Sequence, residues 1–175
     1  MVDWRTSADD PVTILTFDFT MSTTIFREPD LSARPHRLAV ERHMQLPAAT
    51  VYKAWTTEFD RWFAAPGSVL MTGRVDTPFF FETEFSLSPD QPLQRHPHYG
   101  RFLALVPDRR IQLTWLTGAI GTKGAETVVT VELIAAGTGT LVKLTHAGFP
   151  DQGSMEGHRQ AWPMVLEQLE RRYMA

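Results

Sequence analysis

The chain carries six histidines and no cysteine, which limits the side-chain chemistry open to it. On a strand through residues 140–146, alternation places His146 with Val142 and Leu144. His146 is then either a pocket hydrogen-bond donor or general base, or a core histidine held by a backbone carbonyl. His158 and Trp162 stand one helical turn apart. Together they suit a cavity wall, the indole stacking on a ligand and the imidazole fixing its polar end. Plain core packing, with His158 capping a neighbour, needs the same spacing. Glu82 and Glu84 share one strand face, as paired carboxylates for acid–base work or as a solvated face. If that face points inward, Glu84 becomes a candidate partner for Arg42 or Arg101. Arg101, beside Gly100, either binds a ligand carboxylate or sits on the surface. His96-Pro97-His98 falls in a Pro-rich stretch without a nearby carboxylate, a poor metal site, and no zinc-protease or facial-triad spacing exists. No metal and no cofactor are expected. The sequence holds no nucleophile elbow and no dinucleotide fingerprint, and Gly118 to Gly124 reads as a flexible loop.

Without cysteine, thiolate zinc sites, iron–sulfur clusters, disulfides and thiol nucleophiles are excluded. A formal net charge of −3 argues against a nucleic-acid partner. The N-terminus shows no basic segment followed by an apolar run, and no stretch reaches about 18 apolar residues. These features predict a soluble, cytoplasmic protein with no membrane span. At 175 residues the chain is long enough for one self-sufficient domain.

The elements that must position these side chains follow from periodicity. Residues 1–33 read as a weakly ordered arm or an added edge strand, with a short apolar run at Val12–Phe19 and an alternative start at Met21. The domain proper spans 34–175. Leu38, Val40, Arg42 and Met44 share a strand face, so Arg42 needs a carboxylate if that face is buried. Pro47 suits the first position of a helix carrying Val51, Ala54, Trp55 and Phe59, which Asp60 to Phe63 extends or follows as a second short helix. Strands are predicted over 69–75, 79–85, 99–106, 110–115, 127–133 and 140–146, with Pro107-Asp108 and Gly137-Thr138-Gly139 as turns. Trp162, Val165, Leu166, Leu169 and Tyr173 form the apolar stripe of a last helix, with Glu167, Gln168, Glu170 and Arg171 on its other side and a kink or restart at Pro163. Strands joined by short turns imply an antiparallel sheet, and the last helix is the one element expected to cover it. A curved sheet that does not pack flat on a helix leaves a natural ligand space between them.

Five segments in this order, 47–63, 99–111, 127–133, 139–149 and 157–169, resemble the SRPBCC or START-like superfamily, and within it the subgroup of activators of heat-shock protein 90 ATPase. The resemblance covers about residues 36–172. It implies an α+β helix-grip fold, a curved antiparallel sheet wrapped around a long C-terminal helix. It implies a small hydrophobic or amphipathic ligand held in a cavity near Trp55, Trp62, Phe81, Arg101, Trp115, His146, His158 and Trp162. Two alternatives stand beside that expectation. One is a chaperone partner whose ATPase the chain modulates. The other is a cyclase or hydrolase using His146, His158 or Glu84.

Overall fold

A computed structural model describes residues 27–175 except 87 and 89. Val12–Phe19 and the alternative start at Met21 therefore lie outside the described residues. Of the first 33, those from 27 onward run as coil to the sheet. Leu31 packs over Gly148, where an added Cβ would lie 2.6 Å from its Cδ2 and where a φ of 85° also favours glycine.

The order is β1 (His36–Met44), α1 (Ala48–Thr56), α2 (Phe59–Trp62), β2 (Pro78–Phe85), β3 (Gln94–Val106), β4 (Arg110–Thr117), β5 (Thr127–Ala136), β6 (Gly139–Phe149) and α3 (Gln152–Met174). The six strands form one antiparallel sheet ordered β1-β6-β5-β4-β3-β2. Its inner face carries Leu38, Met44, Phe79, Phe81, Phe102, Ile111, Leu113, Trp115, Val129, Val131, Val142 and Leu144, all buried. The cover is shared rather than left to the last helix. α1 lays Val51, Ala54 and Trp55 over β4 and β5, α2 sets Phe59 against Phe81 of β2 and leans on α3, and α3 packs Trp162, Leu166 and Leu169 chiefly along β1. Trp55 joins the two layers, with ring centroids 5.4 Å from Trp62 and 6.0 Å from Trp162.

Several expectations change at this level. Residues 69–75 form no strand. They make only isolated bridges, Leu70 to Phe80 and Val75 to Phe102, because Gly73 and Asp76 turn the chain through positive φ. Pro47 stands just before α1, and its carbonyl accepts from the Thr50 and Val51 amides. α2 is a separate short helix. α3 runs through Pro163 without restarting. Pro163 is exposed, so the amide it lacks is missed on the solvent side. Asp151 caps α3 by accepting from the Ser154 amide at 2.8 Å. Hydrogen bonds to Lys123 and to that amide hold its carboxyl down at about 2.

β3 begins at Gln94, so His96-Pro97-His98 is strand rather than a Pro-rich connection. Pro97 is tolerated there for a local reason. Its partner across the ladder, Glu82, turns its own amide to the Ser68 hydroxyl and its carbonyl to the Ala65 amide. The pair therefore exchanges no main-chain bonds, and on the other side β4 has ended at Thr117, opposite His98.

Gly118 to Gly124 is a tied turn rather than a flexible loop. The Thr117 amide donates to the Thr122 hydroxyl at 2.9 Å, and the Thr122 amide donates to the Thr117 hydroxyl at 2.7 Å. Gly121 and Thr122 are buried beneath it.

Candidate functional site

Between the β2–β3–β4 side of the sheet and the middle of α3 lies a cleft of about 820 Å³. It opens there because α3 rests on β1, at the opposite edge of the sheet. Phe63, Pro97, Trp115, Trp162 and Val165 make its apolar wall, and the exposed side chains of Phe85, Ile120 and Met164 rim it. Its polar lining includes Thr83, His96, His98 and His158, with Glu84, Gln168 and Arg171 also at its edge.

Three of the predicted residues meet at this cleft: Trp115, His158 and Trp162. Trp55, Trp62 and Phe81 lie in the core cluster beside it, with Trp62 donating its indole N–H to the Ala54 carbonyl at 2.9 Å. Arg101 is not part of the cleft lining. Its guanidinium stands 3.0 Å from Asp76 and 4.0 Å from Glu126. His146 is fully buried behind Trp162, and both of its nitrogens are engaged. Nδ1 lies 3.1 Å from the indole Nε1 of Trp162, which can only donate. Nε2 therefore carries the proton and donates to Thr127 Oγ1 at 2.7 Å, and that hydroxyl donates to the Trp115 carbonyl. So His146 is held by an indole and a hydroxyl, not by the expected backbone carbonyl. No ring nitrogen remains for a ligand or a proton transfer. Burial pushes its pKa well below the ordinary histidine value.

The carboxylates also differ from expectation. Arg42 does point inward, and its partner is Glu170, not Glu84, with Nε and Nη2 both 2.8 Å from Oε2. Glu170 Oε1 accepts the Gln45 amide at 2.8 Å. Glu170 is thus buried in the seam between α3 and β1 rather than on the outer side of the helix. Gln168 also leaves that outer side and donates to the Trp62 carbonyl. Glu82 and Glu84 are both held by Arg95, at 3.0 and 3.1 Å, on the outer sheet face.

The residue that sequence reasoning missed is His98. It is buried, stacked on Phe81 at a centroid distance of 4.7 Å and edge-on to Trp115 at 5.0 Å. Its Nδ1 lies 2.9 Å from the His96 carbonyl. A carbonyl only accepts, so Nδ1 carries the proton and Nε2 is a bare acceptor. His158 repeats the arrangement from the helix side, with Nδ1 2.9 Å from the Ser154 carbonyl. Burial lowers both, His98 to about 4, with the bonds to the carbonyls working the other way. At neutral pH these two imidazoles of the cleft, His98 and His158, are therefore uncharged. The Trp115 indole N–H and the Thr83 hydroxyl are buried in its lining residues without a partner among the described residues. No cluster of three or more metal-ligating side chains occurs among the described residues.

A curved antiparallel sheet closed on a long C-terminal helix, with a cleft between them, defines the helix-grip class. Within it, the sequence matches the family described as Activator of Hsp90 ATPase homolog 1-like protein over residues 45–173, and the chain belongs to that family. All five segments that carried the resemblance fall inside the matched span. The fold is similar to that of protein CV1439 from Chromobacterium violaceum, with a TM-score of 0.64 and 24% identity over 78% of this chain and 96% of that one. It is also similar to protein MLL2253 from Mesorhizobium loti, with a TM-score of 0.63 and 22% identity over 79% and 96%. CalU16 from Micromonospora echinospora gives a TM-score of 0.56 and 22% identity over 78% and 74%. No curated protein matches the chain. Among the described residues, no helix is long and apolar enough to cross a membrane.

Proposed function

We propose that this protein is a binding module that holds a small apolar molecule in the cleft between β2–β4 and α3. The observation that carries this reading is the cleft itself, about 820 Å³ with aromatic walls, an apolar rim and buried polar atoms without partners among the described residues. A ligand pocket has that composition, a mostly apolar wall with a few placed polar groups. Trp115, His158 and Trp162 contact the ligand directly. Trp55, Trp62 and Phe81 back the wall, and His146 fixes the indole of Trp162. The test is a thermal-shift screen of purified protein against apolar molecules of two to four rings or chains of comparable bulk. A ligand at about 100 times its Kd stabilises by about 2.7 kcal/mol, which reads as a rise in Tm. If no compound raises Tm, and Trp162→Ala and Trp115→Ala leave every response unchanged, the reading fails.

A chaperone partner is the second reading, and its support is the family description, which names an activator of Hsp90 ATPase. It predicts that the chain binds an Hsp90-type chaperone and changes its ATPase rate. Absence of both effects in a purified mixture removes it.

A further inference from the structure

We infer that the ligand presents an uncharged hydroxyl, and not a carboxylate, to the interior of the cleft. This rests on the reading of the cleft as a ligand site and adds what kind of head group it takes. The inference comes from counting hydrogen-bond roles. His98 on β3 and His158 on α3 reach the cleft from opposite walls, and each spends its Nδ1 proton on a backbone carbonyl at 2.9 Å. Each Nε2 is thus an acceptor with no partner among the described residues, and a complementary ligand must donate to it. The ring of Trp115 stands edge-on 5.0 Å from His98, and its buried indole N–H is a donor without a partner among the described residues. A hydroxyl meets both needs, since it donates one hydrogen bond and accepts others.

A carboxylate meets only one. It accepts from the indole, but against either Nε2 it sets lone pair against lone pair. Bringing it in also strips water from a full charge where, among the described residues, the lining holds no buried cation to compensate it. The nearest cation of the lining, Arg171, is exposed, and Arg95 is spent on Glu82 and Glu84. An alkyl body with no head group leaves both acceptors and the donor unpaired. Sites built to hydrogen-bond a hydroxyl reject the analogue lacking it far more strongly than apolar sites discriminate shape.

The experiment is calorimetric titration of the full chain at pH 7.5 with matched probes. One arm is flat: naphthalene, 2-naphthol and 2-naphthoate. The other is a chain: 1-decanol and decanoate. The expected result, in whichever arm fits the cleft, is a hydroxyl compound bound at least about tenfold more tightly than its carboxylate. In the flat arm 2-naphthol also exceeds naphthalene, and in His158→Phe that ratio falls toward one. The comparison on the unaltered protein decides the matter even if the variant does not fold. A carboxylate bound as tightly as its alcohol, or more tightly and dependent on Arg171, overturns the inference while leaving a ligand-binding module. Equal binding of naphthalene and 2-naphthol also overturns it. Binding of no probe at all tells against the ligand reading itself, and with it this inference.

Discussion

The indole Nε1 of Trp162 lies 3.1 Å from Nδ1 of His146, and this one contact fixes the protonation state of a fully buried imidazole. It also carries order across the structure. Trp162 is on α3, His146 on β6, and the hydroxyl of Thr127 on β5 accepts from the imidazole Nε2–H and donates to the Trp115 carbonyl of β4. Four elements are stitched by one chain of hydrogen bonds.

Removing one member strands its neighbour. Trp162→Phe leaves Nδ1 without a donor, and Thr127→Val leaves the Nε2 proton without an acceptor. Each is expected to cost about 1–3 kcal/mol, the range for a buried polar group deprived of its partner. Urea denaturation measures this. If both variants lie within about 0.5 kcal/mol of the parent, the chain of bonds has no energetic weight.

Acid should loosen the protein in a defined window. His98, His146 and His158 are all held below the ordinary histidine value by burial, His98 at about 4. Above about pH 6.5 folded and unfolded states are both neutral at these sites, and the histidines contribute no pH dependence. Below it the unfolded chain takes up protons that the folded chain refuses, so stability falls as pH drops from about 6.5 toward 4. For His98 alone the full loss is about 3 kcal/mol. The carboxylates of Glu58 and Asp151, both lowered to about 2, lose their contribution later, below about pH 4.5. Denaturation midpoints at stepped pH values check this, and His98→Phe should flatten the upper part of the curve.

The seam between α3 and β1 depends on one carboxylate. Glu170→Ala removes the partner of Arg42 and of the Gln45 amide together, and is expected to destabilise by about 2–4 kcal/mol. Glu170→Gln keeps an acceptor for the amide and should cost less. Equal losses for both would show that the charge contributes nothing.

Two glycines should respond with opposite signs. At Gly100 an added Cβ would lie 2.2 Å from the Thr114 carbonyl oxygen and 2.5 Å from the Phe79 ring, so Gly100→Ala should destabilise by about 3 kcal/mol. Gly157, inside α3 at the cleft, faces open space. Gly157→Ala should stabilise the helix by about 0.5–1 kcal/mol. Thermal melts of the pair read the difference directly.

The sequence made the fold legible because its signals are long and regular. Alternation gives the starts of β4, β5 and β6 to within a residue and their ends two or three residues short, and the stripe from Trp162 to Tyr173 gives the C-terminal half of α3. His158 and Trp162 were correctly set on one inward face by their spacing alone. His98 was lost because Pro97 made its surroundings read as loop. The alternation nevertheless ran on, since His96, His98, Gly100 and Phe102 share a face and Phe102 is plainly core. A reading that equates charge with exposure sets Glu170 on the outer side, although it stands four residues after Leu166 on the inward stripe. The inward Arg42 was the available signal, since a buried guanidinium demands a carboxylate. The pairing of distant residues, Glu170 with Arg42 or Tyr173 with Glu58 at 2.6 Å, depends on how the helix crosses the sheet. No local pattern carries that.

The Arg42–Glu170 and Tyr173–Glu58 contacts fasten the C-terminal half of α3 to β1 and to the start of α2. The half that walls the cleft is held by its cap at Asp151 and by the Trp162 indole on His146. Because α3 is one unbroken helix, the far-end contacts share with these anchors in setting its clearance from the sheet. A homologue could come to admit a bulkier or slimmer guest by altering the fastening at residues 42, 58, 170 or 173, while every side chain that touches the guest stayed the same.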